Sequence, residues 1–594
     1  MAVVEETFFG AWDYVVLGLV LLTSASIGVY YRLTGGRQKT VEEYLLGNQS
    51  LSVLPVAFSL MASFMSAITL MGVSTENYMY GTQFVVINFG YGLVTPVAAY
   101  GFLPVFFRLR ATSAYQYLEM RFGPRVRLLA SIAFSLQMVL YMGIVLYAPA
   151  LAVEAVTGLP KMGAILAVGL VCTFYSTIGG MKAVVITDVF QSLLMFAAVI
   201  MVCVTAAIQV GGVGEIWRIA AEYERIEFDN FSLNPKERHT WWSLVIGGGF
   251  TYLSLYAVNQ AQVQRLISLR DLRASQKALW VSWPILSLLS LSTSFSGLAI
   301  FSKYYNCDPL DLGRIASVEQ LMPLYVVDSV SHIPGLSGLF VAGIFSGSLS
   351  TVSSAVNSLA AVTLEDYLKP IYRLLYKSEL PERHTSLYTK ILAFLYGLVC
   401  LAVAFLAQFL GGVLQASLTI FGVIGGPLLA TFTLGMFVIL ANEVGAFVGL
   451  LFGLCISMWL GFGGPKPPLR KLPTTTDGCF EGNLTFFTTA TPVTPTEPNT
   501  SSGEYFYLYS LSYLWYIVLG FLITLFIGTI VSCLYNCYAK KIETDLNPDL
   551  FSPFVRKYVK RRQRKYQVDT VMIPALRNGT DNHSSEPKLV GSPH

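Results

Sequence analysis

The sequence is poor in charged residues. Lys, Arg, Asp and Glu together make up only 12% of its 594 residues, whereas soluble globular domains average about 25%. Hydrophobic residues account for 54% of the chain, and the mean hydropathy is +0.59. This composition argues against an ordinary soluble protein and predicts that a lipid bilayer is the solvent for most of the chain.

Groups that carry enzyme chemistry are also scarce. The eight cysteines show no zinc-ligand spacing, and no basic tract is interleaved with aromatics as a nucleic-acid site requires. The five histidines offer no paired nucleophile and base, because they fall in predicted loops, near span ends or in the C-terminal tail: His239, His332, His384, His583 and His594. The sequence therefore predicts neither an enzyme nor a partner of nucleic acid.

Long apolar runs are abundant. We count about 13 of them, each of roughly 20 residues, which is the length a bilayer requires. The chain has 50 Gly and 26 Pro, many inside these runs, which suits close packing and broken helices in lipid. The predicted fold class is an all-α polytopic membrane protein. Its spans are 12–31, 52–74, 82–107, 127–153, 160–179, 184–210, 240–263, 278–302, 332–362, 387–410, 413–438, 443–463 and 513–538.

Basic residues cluster in alternate loops and in the segment Arg556–Lys565, which predicts that these parts face the cytoplasm. The N-terminus (1–11) is then extracellular, the tail (539–594) is cytoplasmic, and the loop 464–512 is an exposed external segment. Candidate glycosylation sites fall in loops assigned outside: Asn230, Asn483 and Asn499. Cys307 and Cys479 also lie in predicted external loops and could form a disulfide, although the sequence leaves the pairing open.

The segment Ser346–Pro370 carries seven hydroxyl side chains in its first thirteen residues. One helix face presents Ser346, Ser350, Ser353 and Asn357, and a neighbouring stripe presents Thr351, Ser354 and Ser358. Hydroxyl and carbonyl oxygens are hard, uncharged donors that suit an alkali cation stripped of water. The alternative is small-residue helix packing, in which each hydroxyl bonds back to its own backbone.

Two other spans are interrupted by polar or small residues. In the segment Ser59–Tyr78 a run of large apolar residues is interrupted by Ser59, Ser63, Ser66 and Thr69. The segment Ile246–Arg265 contains three successive glycines followed by Asn and Gln side chains. Each opens a group of five spans, so the groups have opposite orientations and predict inverted repeats (about 52–210 and 240–438) within a transmembrane domain (12–538). The alternatives are an ordinary kinked helix for the first segment and a helix surfacing among headgroups for the second.

Asp188 is expected below the membrane interface, because it lies more than a turn beyond Lys182. An intramembrane acid is a functional candidate by default. The alternative is a carboxylate that is stabilised by the helix N-terminus and reaches water. No arginine is predicted within the membrane, because Arg265 is assigned to the cytoplasmic loop after the seventh span.

Seven motifs resemble the sodium/solute symporter family, in the branch that holds the sodium-dependent multivitamin, sodium-coupled monocarboxylate and iodide transporters. The resemblance covers about residues 10–465, and its motifs are SGSLSTVSSAVNSLAAVTLEDYLKP, ASFMSA, ATSAYQYLEMRFG, LYAPAL, GGMKAVVITDVFQ, YAVNQAQVQR and GGPLLA. It implies a LeuT-type fold with two inverted five-helix repeats, one preceding helix and two following helices. It also implies a plasma-membrane symporter that carries Na⁺ with a small organic anion, and it leaves the oligomeric state open.

The resemblance also implies site residues. The implied sodium ligands are the carbonyls or hydroxyls of Ala62, Met65, Gly347, Ser350 and Thr351. The implied second sodium or substrate region comprises Ser63, Ser66, Thr69, Tyr141, Asp188, Gln191 and Gln260. Iodide members have Gln where this chain has Thr69, so a monocarboxylate or a vitamin such as biotin or pantothenate is favoured over an iodide-like anion. An ion channel is less favoured, because no filter-like carbonyl motif is present.

Overall fold

The chain folds into a bundle of helices in a computed structural model that describes residues 9–34, 49–109, 113–178, 181–409, 412–468, 471–480, 505–539 and 546–563. Within these ranges the only extended pairing is an isolated bridge between Leu51 and Leu269. The described helices of the first half are α1 (Ala11–Thr34), α2 (Val53–Ala62), α3 (Ala67–Tyr80), α4 (Thr82–Leu109), α5 (Gln116–Arg121), α6 (Pro124–Thr157), α7 (Lys161–Ile178), α8 (Met181–Val210) and α9 (Val213–Glu222).

The second half of the bundle repeats the pattern of long apolar helices joined by short connections. Its helices are α10 (Ser243–Tyr256), α11 (Gln260–Ile267), α12 (Leu272–Tyr304), α13 (Leu321–Val330), α14 (Leu336–Tyr376), α15 (Glu382–Ala407), α16 (Val413–Phe437), α17 (Glu443–Phe462) and α18 (Trp515–Ala539).

Ten of the described helices are long and apolar enough to cross a bilayer, and the bent pair α2 and α3 raises the number to eleven. The predicted spans 160–179 and 240–263 coincide with α7 and α10, whose apolar stretches are shorter. Each predicted span therefore corresponds to an apolar helix or to the bent pair. Length and composition support ten or eleven crossings, so the count of thirteen is not confirmed.

The first break lies between α2 and α3, whose axes differ by 60°. Ser66 ends the unwound segment by capping α3, since its hydroxyl accepts a hydrogen bond from the Ile68 amide at 3.2 Å. The second break lies between α10 and α11, where Asn259 caps α11 by accepting from the Ala261 amide at 3.0 Å. Both breaks occur in the first span of a predicted repeat.

The three glycines of the seventh span are not at its break. They lie within continuous helix, and each allows a close crossing. A Cβ on Gly247 would lie 2.4 Å from the Leu514 carbonyl oxygen, and one on Gly248 would lie 2.4 Å from Ile87 Cγ1. The break occurs about ten residues later, at the polar cap Asn259.

Helix α14 forms the centre of the bundle, and almost all of its hydroxyl-rich half is buried. It packs against α1, α6, α7, α8 and α15. Small residues permit the close approach, because a Cβ on Gly343 would lie 2.5 Å from Ala198 Cβ. The polar stripe therefore faces other helices and not lipid.

Candidate functional site

The break between α2 and α3 releases two backbone carbonyls from helical hydrogen bonding. In an uninterrupted helix the Ser66 amide would bond the Ala62 carbonyl, but it bonds the Phe64 carbonyl at 3.0 Å. Likewise, the Thr69 amide bonds the Ser66 carbonyl at 2.9 Å and not that of Met65. The carbonyls of Ala62 and Met65 are therefore available to another partner.

Helix α14 brings two hydroxyls to the released carbonyl of Ala62. Ser350 Oγ lies 2.9 Å from this oxygen, and Thr351 Oγ1 lies 3.3 Å from it. The same hydroxyls lie 3.2 and 2.9 Å from the Gly347 carbonyl on their own helix. Four of the five expected sodium ligands thus converge at one crossing, and Met65 lies in the adjoining break. Both hydroxyls can rotate to turn lone pairs toward a cation.

Several other hydroxyls of α14 bond back to their own helix, as the packing alternative expects. Ser346 donates to the Ala342 carbonyl at 2.7 Å, and Ser358 donates to the Ser354 carbonyl at 2.6 Å. Ser350 and Thr351 differ from them because they also reach the broken helix α2. The contact with an unwound carbonyl separates the candidate ligands from ordinary packing residues.

Tyr141 and Thr69 line a central cavity beside the break, and Ser66 adjoins this cavity through Tyr141. The Tyr141 hydroxyl lies 3.4 Å from Ser66 Oγ and from the Phe64 carbonyl oxygen. The cavity has a volume of about 80 Å³, and aromatic and aliphatic side chains form most of its wall. Among the described residues that line the cavity, none is charged. Its hydroxyl-bearing side chains are Thr69, Tyr91, Tyr141, Thr251, Tyr252, Tyr256, Ser290 and Ser417.

Asp188 does not reach water, because it is fully buried on α8. Its Oδ2 accepts a 2.5 Å hydrogen bond from Ser59 and lies 3.6 Å from Arg265 Nη2. Arg265 also donates to Ser59 Oγ at 2.8 Å and to Ser354 Oγ. Ser63 joins this group, since its hydroxyl lies 3.3 Å from Ser354 Oγ. We refer to Ser59, Ser63, Asp188, Arg265 and Ser354 as the ionic cluster.

The placement of Arg265 corrects the sequence analysis, which assigned it to a cytoplasmic loop and expected no arginine within the membrane. It lies on α11 and is 1% exposed. Its charge explains how Asp188 is tolerated, because buried acids are stabilised by a paired cation. Asp188 was the sequence signal that could have located this arginine within the bundle. A buried carboxylate requires a cationic partner, and Arg265 directly follows a predicted broken span.

The remaining members of the expected second region lie apart from the central cavity lining. Gln191 is buried on α8, and its amide atoms have no hydrogen-bond partner within the described part of the chain. Gln260 accepts a 2.6 Å hydrogen bond from the Ala114 amide and so holds the segment that precedes α5. The predicted single region therefore divides into a cavity group, the ionic cluster and two separate glutamines.

The loop residues have different outcomes. Cys307 and Cys479 form a disulfide in the structure. Asn230 lies half-buried in the loop between α9 and α10, where its side chain accepts from the Ser232 amide at 3.1 Å. Asn483 and Asn499 lie outside the described residues.

Comparison with known proteins identifies the family. The sequence profile of the sodium:solute symporter family matches residues 44–453. A Drosophila melanogaster protein provisionally named a sodium-dependent multivitamin transporter is 55% identical over 575 residues, which cover 94% of each chain. Homo sapiens sodium-coupled monocarboxylate transporter 1 is 44% identical over 590 residues, which cover 97% of this chain and 95% of that protein.

A solved structure gives the same result for the fold. It is a substrate-bound, outward-open Na⁺-coupled sialic acid symporter, and it matches with a TM-score of 0.71 and 24% identity over 89% of this chain and 98% of that chain. At this identity the match shows the fold alone, and it confirms the predicted all-α, LeuT-type class. The chain therefore belongs to the sodium:solute symporter family, and it is a multi-pass membrane protein that couples solute transport to sodium.

Proposed function

We propose that the protein imports a small organic anion, either a monocarboxylate or a vitamin such as biotin or pantothenate, together with Na⁺. The observation that carries this proposal is the position of an uncharged, hydroxyl-bearing cavity beside a set of unwound carbonyls. The names of the two similar transporters support both substrate classes. The volume of about 80 Å³ favours the smaller monocarboxylates in this conformation.

Sodium binds, in this proposal, to the carbonyls of Ala62, Met65 and Gly347 and to the hydroxyls of Ser350 and Thr351. Helix α2 ends at Ala62, so the negative end of its dipole faces the cation. The ligands carry no formal charge, which allows the ion to be released again on the other side of the membrane. Binding would hold α14 against the break and so fix one wall of the cavity.

The anion binds in the central cavity. Helix α3 begins at Ala67, so its positive end faces the same break and favours a carboxylate. Met65 belongs both to the cavity lining and to the proposed sodium ligands. Because no side chain among the described lining residues is charged, bound Na⁺ would supply the positive charge at the edge of this cavity. Each ion should therefore raise the affinity of the other, and the coupling should be reciprocal.

Alternating access would then release both solutes to the cytoplasm as one repeat moves against the other. The membrane potential contributes about 2.3 kcal/mol for each elementary charge that moves through 100 mV. Transport uses this energy only if it carries net positive charge inward, so more than one Na⁺ must accompany each monovalent anion. We further propose a plasma-membrane location with the N-terminus, the loop 464–512 and the three glycosylation candidates outside. The disulfide supports this orientation, because such bonds persist in oxidising compartments.

An iodide-like anion is the second candidate. The aromatic side chains of the cavity can accommodate a large, weakly hydrated anion, and this favours iodide. The presence of Thr69, at the position where iodide members have Gln, disfavours iodide. A channel is less favoured, because two spans are broken at corresponding places.

The test is sodium-dependent current and uptake in cells expressing the full chain, with lactate, pyruvate, nicotinate, biotin, pantothenate and iodide as probes. We expect current with at least one carboxylate, only in sodium. The double variant Ser350→Ala/Thr351→Ala should raise the sodium half-saturation concentration at least tenfold. The matched control is Ser346→Ala/Ser358→Ala, which removes two hydroxyls of the same helix that bond only backward. Unchanged sodium dependence in the first variant would refute the proposed ligand set.

A further inference from the structure

A cationic chamber is lined by the start of α16 and by the segment Lys466–Pro468, which leads toward the disulfide-bonded Cys479. It has a volume of about 840 Å³, and the charged residues that line it within the described part of the chain are Lys236, Glu237, Arg238 and Lys466. Three of these four are basic. A smaller space of about 210 Å³ adjoins it and shares Arg238 with it. Lys466 is half-buried, and this burial lowers the pKa of its ammonium group.

Arg238 occupies the boundary between the two spaces. Its guanidinium donates to both carboxylate oxygens of Glu76, at 2.5 and 2.9 Å, and to Gln415 Oε1 at 2.8 Å. It also lies 4.3 Å from the ring centroid of Tyr80 and 5.1 Å from that of Tyr513. This arrangement holds a carboxylate in the two-pronged geometry for which a guanidinium is suited.

A tight contact between α3 and α16 closes the passage from this arginine to the central cavity. A Cβ on Gly72 would lie 2.8 Å from Leu414 Cβ, and Leu414 lines both the smaller space and the central cavity. Glu76 is one turn from Gly72 on α3. If Arg238 keeps its hydrogen bond to Gln415 on α16, a movement of α3 away from α16 that opens this contact would also withdraw Glu76 from Arg238.

We propose that Arg238 is an entry site for carboxylate anions, and that Glu76 is the chain's own carboxylate occupying this site while the passage is closed. The proposal rests on the proposed function, which supplies the anionic substrate and places the chamber outside. Withdrawal of Glu76 would leave a largely buried guanidinium unpaired, which is costly. A carboxylate arriving from the chamber replaces Glu76 and so favours the open state.

His239 does not provide the positive charge that pairs with Glu76, although its Nε2 lies 3.3 Å from the Glu76 carboxylate. Burial lowers the pKa of His239 to about 4, so the ring is neutral at physiological pH. It shares a 3.1 Å hydrogen bond with the Tyr513 hydroxyl. Arg238 is therefore the cation that the Glu76 carboxylate neutralises.

The first test compares Arg238→Gln, Arg238→Lys and Glu76→Gln by transport kinetics. The probe is whichever of lactate, pyruvate, nicotinate, biotin and pantothenate the wild-type chain carries fastest. Arg238→Gln should raise its KM at least tenfold, with sodium half-saturation within twofold of wild type, and Arg238→Lys should recover part of the loss. Glu76→Gln should lower KM severalfold, because the internal competitor is removed.

The opposite signs separate this proposal from a purely structural ion pair. If the pair only holds the fold, Arg238→Gln and Glu76→Gln raise KM or reduce surface expression together, and the proposal is overturned. The control is Arg218→Gln on α9, which removes an exposed arginine on the same side that pairs with Glu215 and Glu222. It should leave KM unchanged.

A second measurement does not depend on transport. Ala416 lines the cationic chamber, so Ala416→Cys places a thiol there for modification by methanethiosulfonate reagents. The anionic ethylsulfonate reagent should react at least tenfold faster than the cationic trimethylammonium reagent. The carboxylate probe chosen in the first test should slow the reaction only while Arg238 is present. Equal rates for the two reagents would defeat the entry site. A wild-type chain that carries none of the carboxylates would instead defeat the proposed function.

Discussion

Gly347→Ala is the sharpest perturbation of the proposed sodium site, because it removes no ligand. A Cβ at this position would lie 2.9 Å from the Ala67 amide nitrogen and 3.1 Å from the Ser66 carbonyl carbon. Restoring an ordinary contact of 3.4 Å would move α14 away from the break by about 0.5 Å. Metal sites tolerate deviations of about 0.2 Å in ligand distance. The added methyl should therefore disturb the crossing on which both hydroxyls and the Ala62 carbonyl depend.

The sodium-bound state requires this close approach, whereas the sodium-free state can relax by separating the helices. Overpacking of this kind costs about 1–3 kcal/mol, which corresponds to a rise of about 5- to 150-fold in sodium half-saturation. The assay is sodium titration of substrate-evoked current, normalised to surface expression. Gly343→Ala is the matched control, because its Cβ would lie 2.5 Å from Ala198 Cβ on α8 and not near the break. Equal sodium half-saturation in wild type and Gly347→Ala would refute the role of this crossing.

Two further predictions concern buried ionisable groups. Asp188→Asn should destabilise the purified protein by about 3–5 kcal/mol, because it leaves Arg265 unpaired. Thermal melting in detergent measures this loss. If the double variant with Arg265→Gln is no more stable than the single variant, the pairing is not the cause. Burial lowers the pKa of His239 to about 4, so the unfolded state takes up a proton first as pH falls, and stability should decline by up to about 3 kcal/mol between pH 6.5 and 4. His239→Gln should flatten that part of the stability profile, and an unaltered profile would show that another group is responsible.

The architecture was largely predictable because its signals are local. Apolar runs located the helices, and the polar interruption in Ser59–Tyr78 located the first break, where the structure bends the chain by 60°. The crossing of α14 with that break was not local, and it entered through the resemblance to the symporter family. The structure supplies what neither source gives, namely which hydroxyls of α14 contact an unwound carbonyl and which bond only to their own helix.

The second break shows the limit of composition. Three successive glycines are compatible with either a break or a close crossing, and helix packing decides between them. Here Gly247 and Gly248 accommodate Leu514 and Ile87, so the helix continues through them. The chain unwinds instead before Asn259, where a side-chain oxygen can cap the next helix. A sequence contains the candidates for a break, but only tertiary packing selects among them.

Arg265 was misplaced for a related reason, and its position links the two breaks. The low hydropathy of a segment rich in Gln and Arg predicts that it is exposed to solvent, but α11 is buried against α2 and α14. Gln262 donates to the Leu60 carbonyl at 2.8 Å, and Arg265 donates to Ser59 and Ser354. The broken spans of both repeats are thus tied together one turn from Ser350, since Ser354 also donates to the Ser350 carbonyl at 2.6 Å. In the proposed alternating access, movement of one repeat against the other would break or carry these bonds. The ionic cluster would then connect the proposed sodium site mechanically to the broken helix of the second repeat.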